Sequence, residues 1–569
     1  MSNQFSTKRN YATYTWSDDY SWVHGRHMMM FGTDTIRTIM IDRSFSRFGT
    51  YGFTGSFSGL GISDFLLGRP ASYLQANPAI NDTYGLHWSW YAQDDIKVSR
   101  RLTLNLGLRY ELPLPPHSAK NNNIIYRPGV KSVVYKNAPL GLLFPGDPGV
   151  SQSGYDGKKK YFASRVGVSY ALTRDQKTTL RTGYGIYYNP AWTNIEGQMQ
   201  IYQPFIRIIN LVAPPSTADP WLGYPGGNPF PYTSSANSVF DQQINTFVFS
   251  QDYRESMMQQ WNLSIQREFA RDWLGTVAYV GTRGTRIPYL ADINPAVYIP
   301  GASTVANTNQ RRPLYPDFAR FSMVQSVVNS SYHSLQASLD HRLAKGLTVL
   351  AAYTFSKALD DSAENAVLTN DGGVQNPNNR MAEWAPPSFD RTHVFVASWV
   401  WNIPFGSGTR GVERVLLHGW ELNGIWSAST GAPLGFTASQ DRALRGQPNR
   451  PDRLADARIT ADRTKAQMIA QYFNTAAFAP NATGQFGSAP RADGQLAAPG
   501  QITLTVGIFK TFRGLTETHK LQFRTEIFNA LNRANFGAPG TNIDAPGSFG
   551  RITSASDGRI IQFALKYIF

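Results

Sequence analysis

The stretch 101–111, RLTLNLGLRYE, alternates without a break. Leu102, Leu104, Leu106, Leu108 and Tyr110 occupy one set of positions, and Thr103, Asn105, Gly107, Arg109 and Glu111 the other. Successive side chains of an extended chain point to opposite faces, so this pattern dictates a strand with one apolar and one polar face. KLQFRTEIF repeats it, with Leu521, Phe523 and Ile527 against Lys520, Gln522, Arg524 and Glu526. WNLSIQREF does the same with Trp261, Leu263, Ile265 and Phe269 against Asn262, Ser264, Gln266 and Glu268. The last letters, IIQFALKYIF, put Ile561, Phe563, Leu565, Tyr567 and Phe569 on an apolar face, and the mixed set Ile560, Gln562, Ala564, Lys566 and Ile568 on the other.

Marking every such segment gives fifteen expected strands, near 12–23, 27–40, 84–96, 101–111, 162–171, 177–188, 259–269, 273–282, 332–341, 347–358, 392–402, 420–430, 501–511, 519–529 and 559–569. Most exceed the ~5–6 residues of an ordinary strand and match the ~9–11 that a tilted strand needs to cross a bilayer. Their connections sort by length. Short links at 24–26, 97–100, 173–176, 270–272 and 343–346 alternate with long ones at 41–83, 112–161, 189–258, 283–331, 359–391, 431–500 and 530–558. Outer-membrane barrels have short periplasmic turns and longer extracellular loops, whereas a soluble sandwich has no reason to sort its loops by side. The expected fold is therefore all-β, a transmembrane antiparallel β-barrel of the outer-membrane type. The long loops, rich in Pro, Gly, Asn and Ser, read as irregular external structure, with an extra short strand in ARFSMVQSVV (319–328).

Composition agrees. Charged residues make up 16% and aromatics 13%, against a usual ~25% charged. There is no cysteine, which removes disulfide scaffolds and cysteine metal sites. The net charge of +15 is spread singly or in pairs, with one run at Lys158, Lys159 and Lys160; without a basic stripe or reading motif we expect no nucleic-acid partner. No window reaches the ~18 apolar residues of a transmembrane helix, and the start lacks the apolar region of a secretory signal.

Direction follows from the sorting. With short turns periplasmic, the strand at 559–569 descends and so does the first, at 12–23. Bacterial single-chain barrels usually have an even strand number, so we expect Met1 to begin part-way through a larger barrel and two strand edges to be left unpaired.

Several stretches resemble TonB-dependent receptors of the Oar-like group: WSWYAQDDIKVSRRLTLNLGLRYE (88–111), SRVGVSYALTRDQKTTLRTGYGIYY (164–188), SFDRTHVFVASWVWNIPFG (388–406), YFNTAAFAP (472–480) and LQFRTEIFNALNRANFGAP (521–539). The resemblance runs from about residue 12 to the end. It implies the C-terminal barrel portion of an outer-membrane receptor, in a Gram-negative-type bacterium, that takes up a scarce ligand with energy relayed by TonB. Such receptors carry an N-terminal plug inside about 22 strands, so signal peptide, plug, accessory domain and roughly a third of the barrel are expected to be absent here. It also implies that the terminal aromatic strand, through Phe563, Leu565, Tyr567 and Phe569, serves the barrel assembly machinery. A passive porin or an adhesive barrel fits the strands too, and a secreted β-rich enzyme is a third reading.

No residue set calls for catalysis or a cofactor. GSGTRG spaces Gly406, Gly408 and Gly411 as in dinucleotide sites, but a strand follows where a helix and a second parallel strand are required. His24 and His27 lie in a hairpin turn with no third ligand, so a solvated turn is expected. Asp18 with Asp19, and Asp94 with Asp95, are strand neighbours that point to opposite faces. Arg109, Arg524 and Glu526 are expected to line the lumen, and Trp88, Trp90, Tyr91, Tyr184, Tyr187, Tyr188, Trp399 and Trp401 to form interfacial girdles. The ligand carries no recognisable signature in the loops.

Overall fold

The computed structural model describes residues 6–45, 49–190, 195, 197–344, 346–362, 374–406, 408–447, 449–513 and 519–569. One sheet dominates. Its fifteen antiparallel strands follow the chain order without a crossover: β1 (Ser6–His24), β2 (His27–Phe45), β3 (Ala79–Lys97), β4 (Leu102–Ser118), β5 (Tyr161–Ala171), β6 (Thr178–Asn189), β7 (Ser256–Ala270), β8 (Trp273–Asp292), β9 (Phe318–Ala344), β10 (Leu347–Asp360), β11 (His393–Asn402), β12 (Trp420–Ser429), β13 (Gln501–Arg513), β14 (Lys520–Phe528) and β15 (Ile560–Ile568). Each of the fifteen expected strands is present. A sixteenth, Ile244–Phe249, runs parallel to the start of β9, so the extra strand expected at 319–328 is part of β9 itself. Among the described residues the sheet order ends at β1 and β15, which do not pair with each other.

The register keeps faces intact across the wall. Leu106 lies beside Val166, Val168 beside Thr182, Leu263 beside Tyr279, Val277 beside Ala337, and Leu335 beside Phe355. Because strand side chains alternate with period two, a one-residue slip would exchange the faces. The turns hold that register: Gly25 takes φ +58° between β1 and β2, and Asp272 takes φ +66° between β7 and β8.

Burial is inverted relative to a water-soluble protein. Leu106, Leu108, Val166, Leu263, Ile265, Val277 and Leu335 are all exposed, whereas the deepest side chains lie at the long-loop end. Ile124, Leu142, Phe144, Phe205, Val248, Phe318 and Phe321 form one cluster drawn from two long connections and the upper part of β9. Leu434, Phe436, Phe473, Phe478 and Leu496 form a second, against which Phe549 of the last long connection packs. The expectation of irregular loops needs correction here. Proline and glycine keep the regular elements short, as in the strands Ser72–Ala76 and Ile208–Val212 and the helix Lys465–Ala470, but the loops bury enough aromatic surface to fold around cores of their own.

The passage from wall to loop core is visible within single strands. In β8, Val277 is exposed while Tyr289, Leu290 and Ala291 are buried, because that upper end pairs with 322–325 under the loops.

Candidate functional site

Two faces of the wall and the tied loops above them carry the functional geometry. On the outer face, aromatic rings gather in two belts. Towards the long loops, Trp90 stacks on Tyr110 at 5.9 Å and Tyr110 meets Phe162 at 4.9 Å across three strands. At the short-turn rim stand Phe269 with Trp273 (6.3 Å), Trp273 with His341 (4.3 Å) and Tyr567 with Phe569 (6.0 Å). Polar atoms on this face satisfy one another: Tyr279 with His333 and Tyr353 with His393, each 2.7 Å, and Tyr567 with His519 at 2.5 Å. Such girdles at both interfaces mark an outer-membrane barrel.

Tyr91 and Tyr187 do not belong to them. The Tyr91 hydroxyl donates to Asp19 at 2.5 Å on the polar face, and Tyr187 lies under the Arg165 guanidinium at 4.8 Å. Both sit at odd positions, out of phase with Trp88, Trp90 and Tyr184, so parity already separates them.

The expected assembly residues form an unbroken outer stripe along β15 and the residue that follows it. Phe563, Leu565, Tyr567 and Phe569 are 66%, 66%, 57% and 87% exposed, and Phe563 stacks on Phe523 of β14 at 6.1 Å.

On the polar face, Arg109 is absorbed by the wall. Its guanidinium lies 2.9 Å from Asp34 on β2 and 3.3 Å from Glu111 on its own strand, and donates to Ser89 on β3. His87 approaches the other Glu111 oxygen at 3.5 Å. Arg524 packs over Phe509 at 4.7 Å and donates to Gln522 at 2.7 Å, with no ion pair among the described residues. Glu526 stands between Gly507 and Gln562 across the strand pairs, half-buried. Asp19 and Asp95 are on this face, Asp95 accepting from Asn105 at 2.6 Å, while Asp94 pairs with His27 at 2.7 Å. The His27 side chain remains 44% exposed beside the hairpin turn, with its ring held by that pair. No group of three metal-binding side chains occurs among the described residues.

The same face holds a feature that the sequence reading passed over. Gly107, Gly167, Gly183 and Gly185 adjoin on β4, β5 and β6 and floor a concavity of about 260 Å³, rimmed by Gln93, Asn105, Arg165, Tyr187, Gln260 and Asn262. A Cβ at Gly107 or Gly183 would meet nothing nearer than 3.8 Å and 3.5 Å. Packing within the chain therefore does not require glycine at these two positions, whereas a Cβ at Gly167 or Gly185 would press on Asn105 at 3.3 Å or Tyr187 at 2.9 Å; a strand glycine often marks a bulge, a bend or the close approach of a ligand or another backbone. The signal was present as glycines recurring among the polar set.

The loops above are cross-tied by charge. Arg450 grips Glu383 with two hydrogen bonds of 2.9 and 2.8 Å, both side chains buried. Arg312 and Gln447 converge on Asp292 at 2.9 and 3.0 Å. Arg442 bonds to Asp544, holding that carboxyl below the usual carboxylate range. GSGTRG leads into a helix, Gly411–Leu417, and then the antiparallel strand β12, so the nucleotide spacing has no parallel unit around it.

A wall with girdles outside, a polar face inside and length-sorted connections defines an outer-membrane β-barrel. The sequence agrees: the model of the outer membrane beta barrel domain family matches residues 1–562, and the chain belongs to that family. Its location is the outer membrane. No curated protein matches the chain.

Among solved structures, it is similar to the outer membrane transporter YddB from Escherichia coli (10% identity, TM-score 0.53), covering 99% of this chain and 55% of that one. The ferripyoverdine receptor of Pseudomonas aeruginosa, bound to ferripyoverdine, aligns at 11% identity and TM-score 0.44 over 99% and 48%. The ferric enterobactin receptor PfeA from Pseudomonas aeruginosa aligns at 11% and 0.47 over 98% and 54%. The chain thus spans about half the length of these proteins.

Proposed function

We propose that the chain is the barrel portion of a receptor and transporter of the TonB-dependent type, of the Oar-like group, that brings a scarce ligand across the outer membrane. The observation that carries this reading is the glycine-floored concavity on the polar face of a wall whose other face is apolar, beneath loops folded around their own cores. Structured loops capture ligand at the cell surface. The concavity, together with Arg524 and Glu526, lines the path down to the short-turn, periplasmic side. Phe563, Leu565, Tyr567 and Phe569 present the terminal strand to the assembly machinery, and no catalytic step is involved.

A wide polar lumen without a gate is an open water channel, which is the physical reason to expect an energised plug in the complete protein. The test is uptake. Cells producing the protein should grow on a medium limited for its nutrient only when TonB is present, and Gly183→Trp should abolish that growth with normal outer-membrane levels. Growth indifferent to TonB would replace this reading with a passive pore.

A further inference from the structure

We propose that the helix Gly411–Leu417 is a lipid-docking foot: it folds outward from the short-turn rim and seats its apolar stripe among the acyl chains of the adjacent leaflet. The argument starts from a misplaced charge. Lys510 shares the face of Ile502, Leu504, Val506 and Ile508 on β13, the face that meets lipid, where an ammonium is costly unless it finds partners.

It finds them in the connection between β11 and β12. The Lys510 amine donates to the carbonyls of Leu416, at 3.3 Å, and of His418, and lies 5.3 Å from the rings of Trp420 and Phe512; the residue is only 3% exposed. Trp420 adds a hydrogen bond from its indole nitrogen to the Leu416 carbonyl at 2.8 Å. A cation at the last carbonyls of a helix satisfies groups left without partners. These contacts place the end of the helix over the lipid face and away from the lumen mouth.

The helix then presents Val412, Val415 and Leu416, 74%, 56% and 62% exposed, at the i, i+3, i+4 spacing of one face. Phe405, also exposed, leads into it and meets Trp401 edge-on at 6.4 Å. Arg410 and Arg414 are exposed beside the stripe, as an interfacial helix needs for lipid phosphates. The occupant that fits an apolar stripe continuous with a lipid face and flanked by arginines is phospholipid. This rests on the outer-membrane reading, and the experiment separates the two.

The chain has no cysteine, so single cysteines can carry an environment-sensitive fluorophore. The 569-residue chain is reconstituted into phosphatidylethanolamine and phosphatidylglycerol vesicles with brominated acyl chains. Labels at Val412→Cys and Val415→Cys should be quenched several-fold more than one at Glu413→Cys, and a label at Leu108→Cys on the wall should be quenched as strongly. Quenching at 108 with 412 and 415 no different from 413 would overturn the foot, whereas an unquenched 108 would overturn the membrane wall beneath it. Lys510→Met should bring quenching at 415 down to the level at 413 while Lys510→Arg keeps it; unchanged quenching in Lys510→Met would remove the tether.

Discussion

Arg109 shows how the wall handles a charge that faces its interior. Three strands meet at its guanidinium through Asp34, Ser89 and Glu111, so the side chain stitches the sheet and is not left free for a passing ligand. Arg109→Ala would leave two carboxylates facing each other without their cation. With the side chain about one-fifth exposed, we expect a loss of about 1–3 kcal/mol, read as a lower temperature for conversion of the compact to the extended band on heat-modifiability gels. Arg524→Ala breaks no ion pair and should move that temperature little. The opposite face obeys a different rule: Leu106→Arg places a cation toward lipid at a cost of ~2–4 kcal/mol at the bilayer midplane, and should deplete the folded band, while Asn105→Arg on the polar face should leave it intact.

At the scale of elements, the long loops are folded bodies whose aromatic contacts can be tested apart from the wall. Phe473 is fully buried and packs edge-on against Phe436 at 5.1 Å and Phe549 at 5.2 Å. Phe473→Ala should cost about 3–5 kcal/mol and open 430–500 to external protease, with the strands still protected. The tie between Arg442 and Asp544 adds a pH dependence. Because the Asp544 carboxyl is held low in the folded loops, its stabilisation is complete above the unfolded value of ~3.9 and is lost as pH falls through the lowered folded value. Pepsin should therefore cut these loops faster as pH drops below about 4, and Asp544→Asn should show rapid cutting with no such step. The strands themselves were legible because period-two alternation and sorted connections are local signals. The loop cores were not: Phe144, Phe205 and Phe318 come together across long separations, and no periodicity announces them. The upper half of β8 was missed for the same reason, since alternation stops where both faces become buried, and the upper half of β9 was legible only as a separate short strand at 319–328.

For the molecule as a whole, the site was half legible. Parity placed Arg109, Arg524 and Glu526 on the polar face and the stripe from Phe563 to Phe569 on the other, but it could not show that Arg109 is spent on Asp34 and Glu111. The glycine floor was written in the sequence as Gly107, Gly167, Gly183 and Gly185, yet only the register between strands reveals that they adjoin. Everything proposed for transport depends on one claim, that the leucine face of this sheet meets lipid while the arginine and glycine face meets water. The direct measurement is a single-cysteine scan from Leu104 to Arg109 on β4 in outer-membrane vesicles, spin-labelled and read for collision with oxygen and with a water-soluble nickel chelate. The account predicts strict alternation, with oxygen favoured at 104, 106 and 108 and the chelate at 105, 107 and 109. A flat profile, or chelate access at 104, 106 and 108, would contradict it.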